Sequence, residues 1–237
     1  MKILLLGYGK MGEIIEQIAI DRGHTISAKI SSSNRDELDH LKVDEIDVAI
    51  EFSQPEAAFD NILYCLKNNI PVLSGTTGWL ERMKDVEQLC NDLSGTFFYA
   101  SNFSIGVNLF FKLNEQLAQI MDNFESYDVE IDETHHIHKK DAPSGTAITL
   151  AEGVIKHIDR VKEWQLDKKQ PGGLKIMAYR EDEVPGTHSV KYRSAIDDIE
   201  IKHTAHSRAG FAKGAVMVAE WLKDKKGVLS MDDFLKS

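Results

Sequence analysis

Cysteine is nearly missing from this chain: two residues, Cys65 and Cys90, occur in 237, each inside an apolar, helix-like stretch. That excludes a disulfide framework and a Cys-pair metal site, and it makes a reducing compartment the expectation. Positive charge is in deficit too, with 28 Lys and Arg against 38 Asp and Glu and a formal net charge of −10. An extended nucleic-acid surface needs clustered cations, so no nucleic-acid partner is expected. A small local cationic pocket is still compatible with that balance. No apolar run approaches the length of a membrane span, and no membrane partner is expected. Features of a secretory leader are wanting: Lys2-Ile3-Leu4-Leu5-Leu6 reads straight into a strand and a glycine turn, which points to a cytoplasmic protein. There is no internal repeat and no low-complexity tract. What is present is an ordinary globular composition, 42% hydrophobic and 28% charged, long enough for one large domain or two modest ones.

The first hundred residues alternate short apolar runs with amphipathic stretches. Strands are expected at Ile3 to Leu6, Ile26 to Ile30, Val48 to Phe52, Val72 to Ser74 and Thr96 to Ala100. Helices are expected at Met11 to Arg22, where Met11, Ile14, Ile15, Ile18 and Ala19 share a face, and at Glu56 to Asn68 and Leu80 to Leu93. This order implies a parallel, Rossmann-type α/β sheet with right-handed crossovers. The link between the second and third strands is short and charged, too short for a full crossover helix. Beyond residue 103 the pattern changes. A helix over Asn108 to Met121 and a strand over Tyr127 to Glu133 precede a helix over Ser144 to His157, and several strands fall between Lys175 and His206. Strands following strands predict an open mixed sheet in an α+β domain. The domain boundary is placed at 1–103 and 104–210, with a last amphipathic helix in 211–237 returning to the first domain.

Gly7-Tyr8-Gly9-Lys10-Met11-Gly12 fits G-x-G-x-x-G between a strand and a helix. In that context the glycines make the tight turn, admit a pyrophosphate and let helix and strand pack, while the helix N-terminus attracts the anion. A purely structural turn is the bland alternative. After the second strand an acid usually holds the adenosine ribose, but here the chain reads Ser31-Ser32-Ser33-Asn34-Arg35. Hydroxyls and an arginine suit a 2′-phosphate, which leans towards NADPH over NADH; a polar loop capping the next segment is the equal alternative. Two later strand-end loops, Gly75-Thr76-Thr77 and Ala100-Ser101-Asn102-Phe103, are placed to border a nicotinamide ring, or are simply turns.

The densest polar chemistry runs from Glu133 to Ala147. His135, His136, His138, Lys139 and Lys140 fall within six residues, between a strand and a helix. No cysteine and no H-E-x-x-H arrangement accompanies the histidines, so no metal is expected. Ser144-Gly145-Thr146 stands where a helix begins, and its free amides, two hydroxyls and helix dipole make a carboxylate seat, or else a plain N-cap. The adjacent cations in an acidic protein suit a small dicarboxylate substrate. Reduction of a C=N or conjugated C=C bond also needs a proton, which histidine supplies near neutral pH with an ammonium in support. His135 and Lys139 are the catalytic candidates.

The glycine loop, Gly75-Thr76-Thr77-Gly78, Ser101-Asn102-Phe103-Ser104-x-Gly106-Val107-Asn108, and Glu133-x-His135-His136-x-x-Lys139-x-Asp141-Ala142-Pro143-Ser144-Gly145-Thr146-Ala147 stand in one order. In that order, and in His203-x-Ala205-x-Ser207-Arg208, the chain resembles the dihydrodipicolinate reductase family over nearly its whole length. The resemblance implies NAD(P)H-dependent reduction of 4-hydroxy-tetrahydrodipicolinate in the diaminopimelate and lysine pathway. It implies His135 as proton donor or acceptor, Lys139 as a second donor, and His136, Ser144, Gly145 and Thr146 as substrate-binding residues. Gly7 to Gly12, Gly75 to Thr77 and Ala100 to Phe103 would hold the cofactor. It also implies a cytoplasmic homotetramer built through the sheet of the second, substrate and oligomerisation domain. The family's common acid after the second strand is absent here, which leaves cofactor preference open. The rival readings are another two-domain amino-acid dehydrogenase, of the aspartate or diaminopimelate type, and a non-catalytic dinucleotide sensor.

Overall fold

The computed structural model describes residues 1–168, 170–207 and 209–236. In chain order it contains β1 (Lys2–Leu6), α1 (Lys10–Asp21), β2 (Thr25–Ile30), β3 (Val48–Glu51), α2 (Pro55–Lys67), β4 (Val72–Ser74), α3 (Met83–Asp92) and β5 (Thr96–Tyr99). Then come α4 (Ile105–Met121), β6 (Asp128–His135), α5 (Gly145–His157), β7 (Glu163–Leu166), β8 (Gly173–Arg180), β9 (Gly186–Arg193) and β10 (Asp198–Ala205). The chain closes with α6 (Ala209–Leu222), β11 (Gly227–Ser230) and α7 (Met231–Leu235). It divides into two compact units, Met1–Ile105 with Ala209–Ser237, and Gly106–Arg208.

The first unit is built on a parallel sheet in the order β11-β5-β4-β3-β1-β2. Such sheets are buried on both faces, which is why β3 is enclosed along its whole length and Ile3 to Leu6 are at most 1% exposed. On one face Ile15 and Ala19 of α1 pack with Ala215, Val218 and Leu222 of α6. On the other, Ile62 and Leu66 of α2 pack with Val86 and Cys90 of α3. Both cysteines are buried, unpaired thiols, and burial pushes Cys65 up from its ordinary value. Between β2 and β3 the crossover helix is replaced by two short 3₁₀ turns, Arg35–His40 and Val43–Glu45. Leu38 anchors the first of them, its carbonyl accepting from the Tyr64 hydroxyl at 2.7 Å.

The second unit carries a mixed sheet in the order β10-β9-β6-β8-β7, with β9 antiparallel to both neighbours and β6, β8 and β7 mutually parallel. Helices α4 and α5 cover one face through Phe110, Ala118, Leu150 and Val154, against Ile131, Ile176, Val190 and Tyr192. The other face is polar, with Lys191 on Asp132 at 2.5 Å and Arg193 on Glu130 at 2.8 Å. Alternation along β6 sends Val129, Ile131, Glu133 and His135 to the same buried side. The apolar face therefore turns charged at the strand's C-terminal end.

Helix α6 lies so close to the loop after β5 that a Cβ on Gly214 would stand 1.8 Å from the Phe103 carbonyl oxygen. Gly214→Ala is expected to cost about 1–3 kcal/mol by overpacking, read as a lower urea midpoint; an unchanged midpoint would refute this packing.

Candidate active site

In the first unit the turn after β1 sits where strand order reverses, between β1 and β3. Gly7 has φ +94°, and a Cβ there would stand 2.0 Å from the Phe52 carbonyl oxygen, so nothing larger fits. Gly12 presses on the Gly7 carbonyl, whereas a Cβ at Gly9 would meet nothing within 4 Å. Gly9 is thus the open point of the turn, and it precedes α1 without a side-chain cap, leaving the first amides of the helix for an anion. A cavity of about 560 Å³ opens here, bordered by Gly7, Gly9, Ser31, Ser32, Arg35 and Ser53. These groups fit a pyridine dinucleotide: free amides for the pyrophosphate, then hydroxyls and a guanidinium at the end of β2.

The other sequence-derived cofactor residues serve unequally. The Tyr8 hydroxyl donates to Glu16, and the Lys29 ammonium lies 3.2 Å from that carboxylate and 4.6 Å over the Tyr8 ring. Lys10 is exposed at the helix start, while Met11 packs against the core. Thr77 and Ser101 are exposed, and the Asn102 side chain accepts from Ser104 N–H at 2.8 Å. Ala100 and Phe103 are buried, the Phe103 ring 5.4 Å from that of Phe52 and 5.7 Å from that of Phe98. Only backbone groups of those two can face a ligand. Thr76 has a structural duty: its hydroxyl donates to Glu51 at 3.0 Å and accepts from Ser53 N–H at 2.8 Å. With the Ser74 hydroxyl on the same carboxylate at 2.6 Å, buried Glu51 ties the loops after β3 and β4 together beside Gly75.

In the second unit the histidine-rich segment and the start of α5 meet around Glu133, which is fully buried. Its Oε1 accepts from Ser144 N–H at 3.0 Å and from the Arg180 guanidinium at 3.2 Å. Its Oε2 lies 3.2 Å from His135 Nδ1 and 3.6 Å from His188 Nε2. The His135 approach is within ion-pair range but off the hydrogen-bond line, so both atoms are left without an aligned partner. His188 Nε2 is 3.1 Å from the Ser144 hydroxyl, which caps α5 by accepting from Ala147 N–H. Gly145 is exposed and Thr146 half-buried, so the first turn of α5 presents amides and a hydroxyl to a ligand.

Lys139 stands on the loop between β6 and α5, its ammonium donating to both Asp141 oxygens at 2.8 Å and holding that carboxyl below its usual range. Asp141 is well exposed, so a substrate carboxylate can displace it at little cost. Arg180 fastens this loop through the carbonyls of Lys139 (3.3 Å) and Asp141 (2.6 Å). His136 follows the strand end, with the His138 ring 6.3 Å away as its neighbour.

Burial alone would raise Glu133, but the adjoining His135 and His188 imidazoles and the Ser144 donors outweigh it and hold the carboxyl well below the usual carboxylate range. Burial pushes His188 down against the upward pull of Glu133, so it is kept neutral. Among the described residues, Glu133, His135 and His188 are the one trio with ligand atoms close enough, within 4.8 Å of one another, for a metal ion. Arg180 already supplies the cation for that carboxylate, which favours a hydrogen-bonded cluster over a metal centre.

Arg180 and His188 were not among the residues singled out from the sequence, and Glu133 opened the polar motif there without a role, although the sheet register places all three directly. Glu133 pairs across to His188, and His135 to Arg180. The available signal was a charged residue at a buried position of an alternating strand.

A doubly wound sheet with an open glycine turn, joined in one chain to a unit whose buried face ends in imidazoles and a helix start, defines the class: a pyridine-nucleotide-dependent oxidoreductase. Family models carry this further. Residues 1–103 match dihydrodipicolinate reductase, N-terminus, and residues 106–235 match dihydrodipicolinate reductase, C-terminus. The chain belongs to the dihydrodipicolinate reductase family. It is 52% identical over 237 residues to 4-hydroxy-tetrahydrodipicolinate reductase of Christiangramia forsetii, covering 99% of this chain and 98% of that one. Among solved structures, a dipicolinate-bound dihydrodipicolinate reductase from Paenisporosarcina sp. TG-14 superposes with a TM-score of 0.81 at 22% identity, over 97% of each chain. An amine dehydrogenase from Mycobacterium smegmatis gives 0.55 at 9% identity, over 96% of this chain and 94% of that one. At those identities the two structures speak to the fold alone. No helix among the described residues is long and apolar enough to cross a membrane.

The two perturbed groups set an acid response. Unfolding restores His188 to about its ordinary 6.5, so the unfolded chain binds the extra proton and stability falls as pH drops below that value. Glu133, depressed when folded, adds a second loss once pH falls below its ordinary 4.5. Thermal midpoints measured from pH 8 to pH 4 should decline in that order. His188→Gln should flatten the upper step selectively; an unaltered profile would contradict a neutral buried His188.

Proposed function

We propose that this chain reduces 4-hydroxy-tetrahydrodipicolinate to tetrahydrodipicolinate, with loss of the 4-hydroxyl as water, in diaminopimelate and lysine biosynthesis. The observation that carries the reading is the junction at Glu133, which fastens a histidine and the open end of α5 to one carboxylate. That junction sets a proton source beside a carboxylate seat, the pair of tasks a small cyclic dicarboxylate imine demands. Full-length identity of 52% to a reductase of this name supports the same substrate.

When bound, the reduced dinucleotide supplies the hydride. Gly9 and the first amides of α1 take its pyrophosphate, with Gly75 to Thr77 and Ala100 to Phe103 offering strand-end backbone to the remainder. Ser31, Ser32 and Arg35, with no acid before Asp36, favour NADPH over NADH. On the second unit, Ser144, Gly145 and Thr146 seat one substrate carboxylate at the helix start, and Lys139, released from Asp141, meets the other with His136 alongside. His135 gives the proton that accompanies hydride addition, with the Lys139 ammonium as second donor. In this reading residues 1–103 are the dinucleotide-binding domain and 104–210 the substrate and oligomerisation domain, with 211–237 rejoining the first. The polar sheet face is the surface through which four copies associate, and the enzyme works in the cytoplasm.

Turnover on substrate generated by the preceding synthase should fall by ~100-fold or more for His135→Ala and for Lys139→Ala. Near wild-type rates in both would refute the catalytic assignment, and amine oxidation with ammonia release would favour the amino-acid dehydrogenase reading. Arg35→Ala should raise KM for NADPH by about tenfold, as expected for one lost charge-assisted contact, and leave KM for NADH within about twofold. Equal changes in both would remove Arg35 from cofactor selection.

A further inference from the structure

We infer that Glu133 is the positioning residue of the proton step, aiming His135 and the Lys139 loop from beneath, with His188 packed beside it. The inference rests on His135 being the proton donor and goes beyond it, since nothing about the reaction itself requires a second buried acid and a second buried imidazole.

An imidazole whose Nδ1 faces a carboxylate has one working nitrogen, Nε2, and a fixed ring plane. His135 stands in that arrangement within ion-pair range, Oε2 of Glu133 lying 3.2 Å from its Nδ1. On the other side the chain leaves a glycine, Gly186, where any Cβ would stand 3.1 Å from Nε2. The two imidazoles are close, their ring centroids 5.0 Å apart and nearly perpendicular. Two imidazolium ions there would repel each other. Burial pushes His188 down from its ordinary value, and the Ser144 hydroxyl engages its ring at 3.1 Å.

The charged groups around this pair are Glu133 from β6, Lys139 from the loop after β6 and Arg180 from β8. Arg180 joins Glu133 to the carbonyls of Lys139 and Asp141, so the same carboxylate also sets where the ammonium's loop stands. Removing the charge from Glu133 should therefore disturb the chemical step and not the dinucleotide, whose turn belongs to the other unit.

Glu133→Gln tests this in the full-length enzyme. We expect kcat to fall about 10–100-fold, as for other residues that orient a working histidine, with KM for the cofactor within about twofold of wild type and cofactor binding by fluorescence titration unchanged. Glu133→Asp, which keeps the charge, should recover part of kcat. In a His135→Ala background the same substitution should cost clearly less than it does in the wild type, because only the Lys139 loop is left for it to position. Full additivity in that cycle, or wild-type kcat in Glu133→Gln alongside a slow His135→Ala, would overturn the inference while leaving the proton donor in place. A fast His135→Ala would instead remove the reading beneath it. If Glu133→Gln does not fold, the cycle is run with Glu133→Asp and judged by the same additivity.

Discussion

A carboxylate shut away from water must be met by hydrogen-bonding or charged partners, and Glu133 meets its partners in separate stretches of the chain. The amide of Ser144 comes from the start of α5, the guanidinium of Arg180 from the end of β8, and the imidazoles from the ends of β6 and the early part of β9. Taking the Ser144 amide or the Arg180 guanidinium away from this buried carboxylate costs about 1–3 kcal/mol or more for a charged group, so the segments around it are held as a unit. The site of the second unit follows from this constraint. Ser144 caps the helix and starts the carboxylate seat, His135 is fixed at the strand end, and Arg180 carries the restraint on to the Lys139 loop.

The first unit solves a similar problem with different means. Glu51 is also fully buried, yet the donors around it are hydroxyls and an amide, from Ser53, Ser74 and Thr76. Such a clasp gathers strand ends without introducing a second charge near a site meant for anions. Around it the backbone is packed to the limit, with Gly7 against Phe52 and a Gly75 Cβ position only 2.3 Å from the Phe52 ring. Rigid loops with outward amides result, which is what binding a polyanion through backbone groups needs.

Much of this was legible in the residues themselves. The parallel sheet followed from apolar runs at Leu4, Ile50, Val72 and Phe97, each too continuous to be half-exposed, and the missing crossover helix from the charged, short link near Asp36. The glycine turn and the His135-to-Thr146 block stood out because their residue types are costly without a purpose. Other parts were hidden for physical reasons. β11 is four residues long, Gly-Val-Leu-Ser, too brief for a periodicity, and exists because β5 offers it an edge. β7, with Glu163 and Gln165 alternating with Trp164 and Leu166, reads as polar chain. The partners Arg180 and His188 lie more than forty residues from His135 in sequence and become neighbours only through strand register, which one sequence cannot specify.

The first unit is not contiguous along the chain, and this bears on how the protein can be made. Helix α6 and strand β11, which cover one face of its sheet and finish one edge, follow the inserted unit in the chain and leave the ribosome after it. Until they arrive, Ile15, Ala19 and their neighbours lack the helix that shields them, so the nascent nucleotide half waits with greasy surface showing while the inserted half can already close on itself. Cutting the gene after the fifth strand would therefore yield a sticky fragment and not a free-standing nucleotide module.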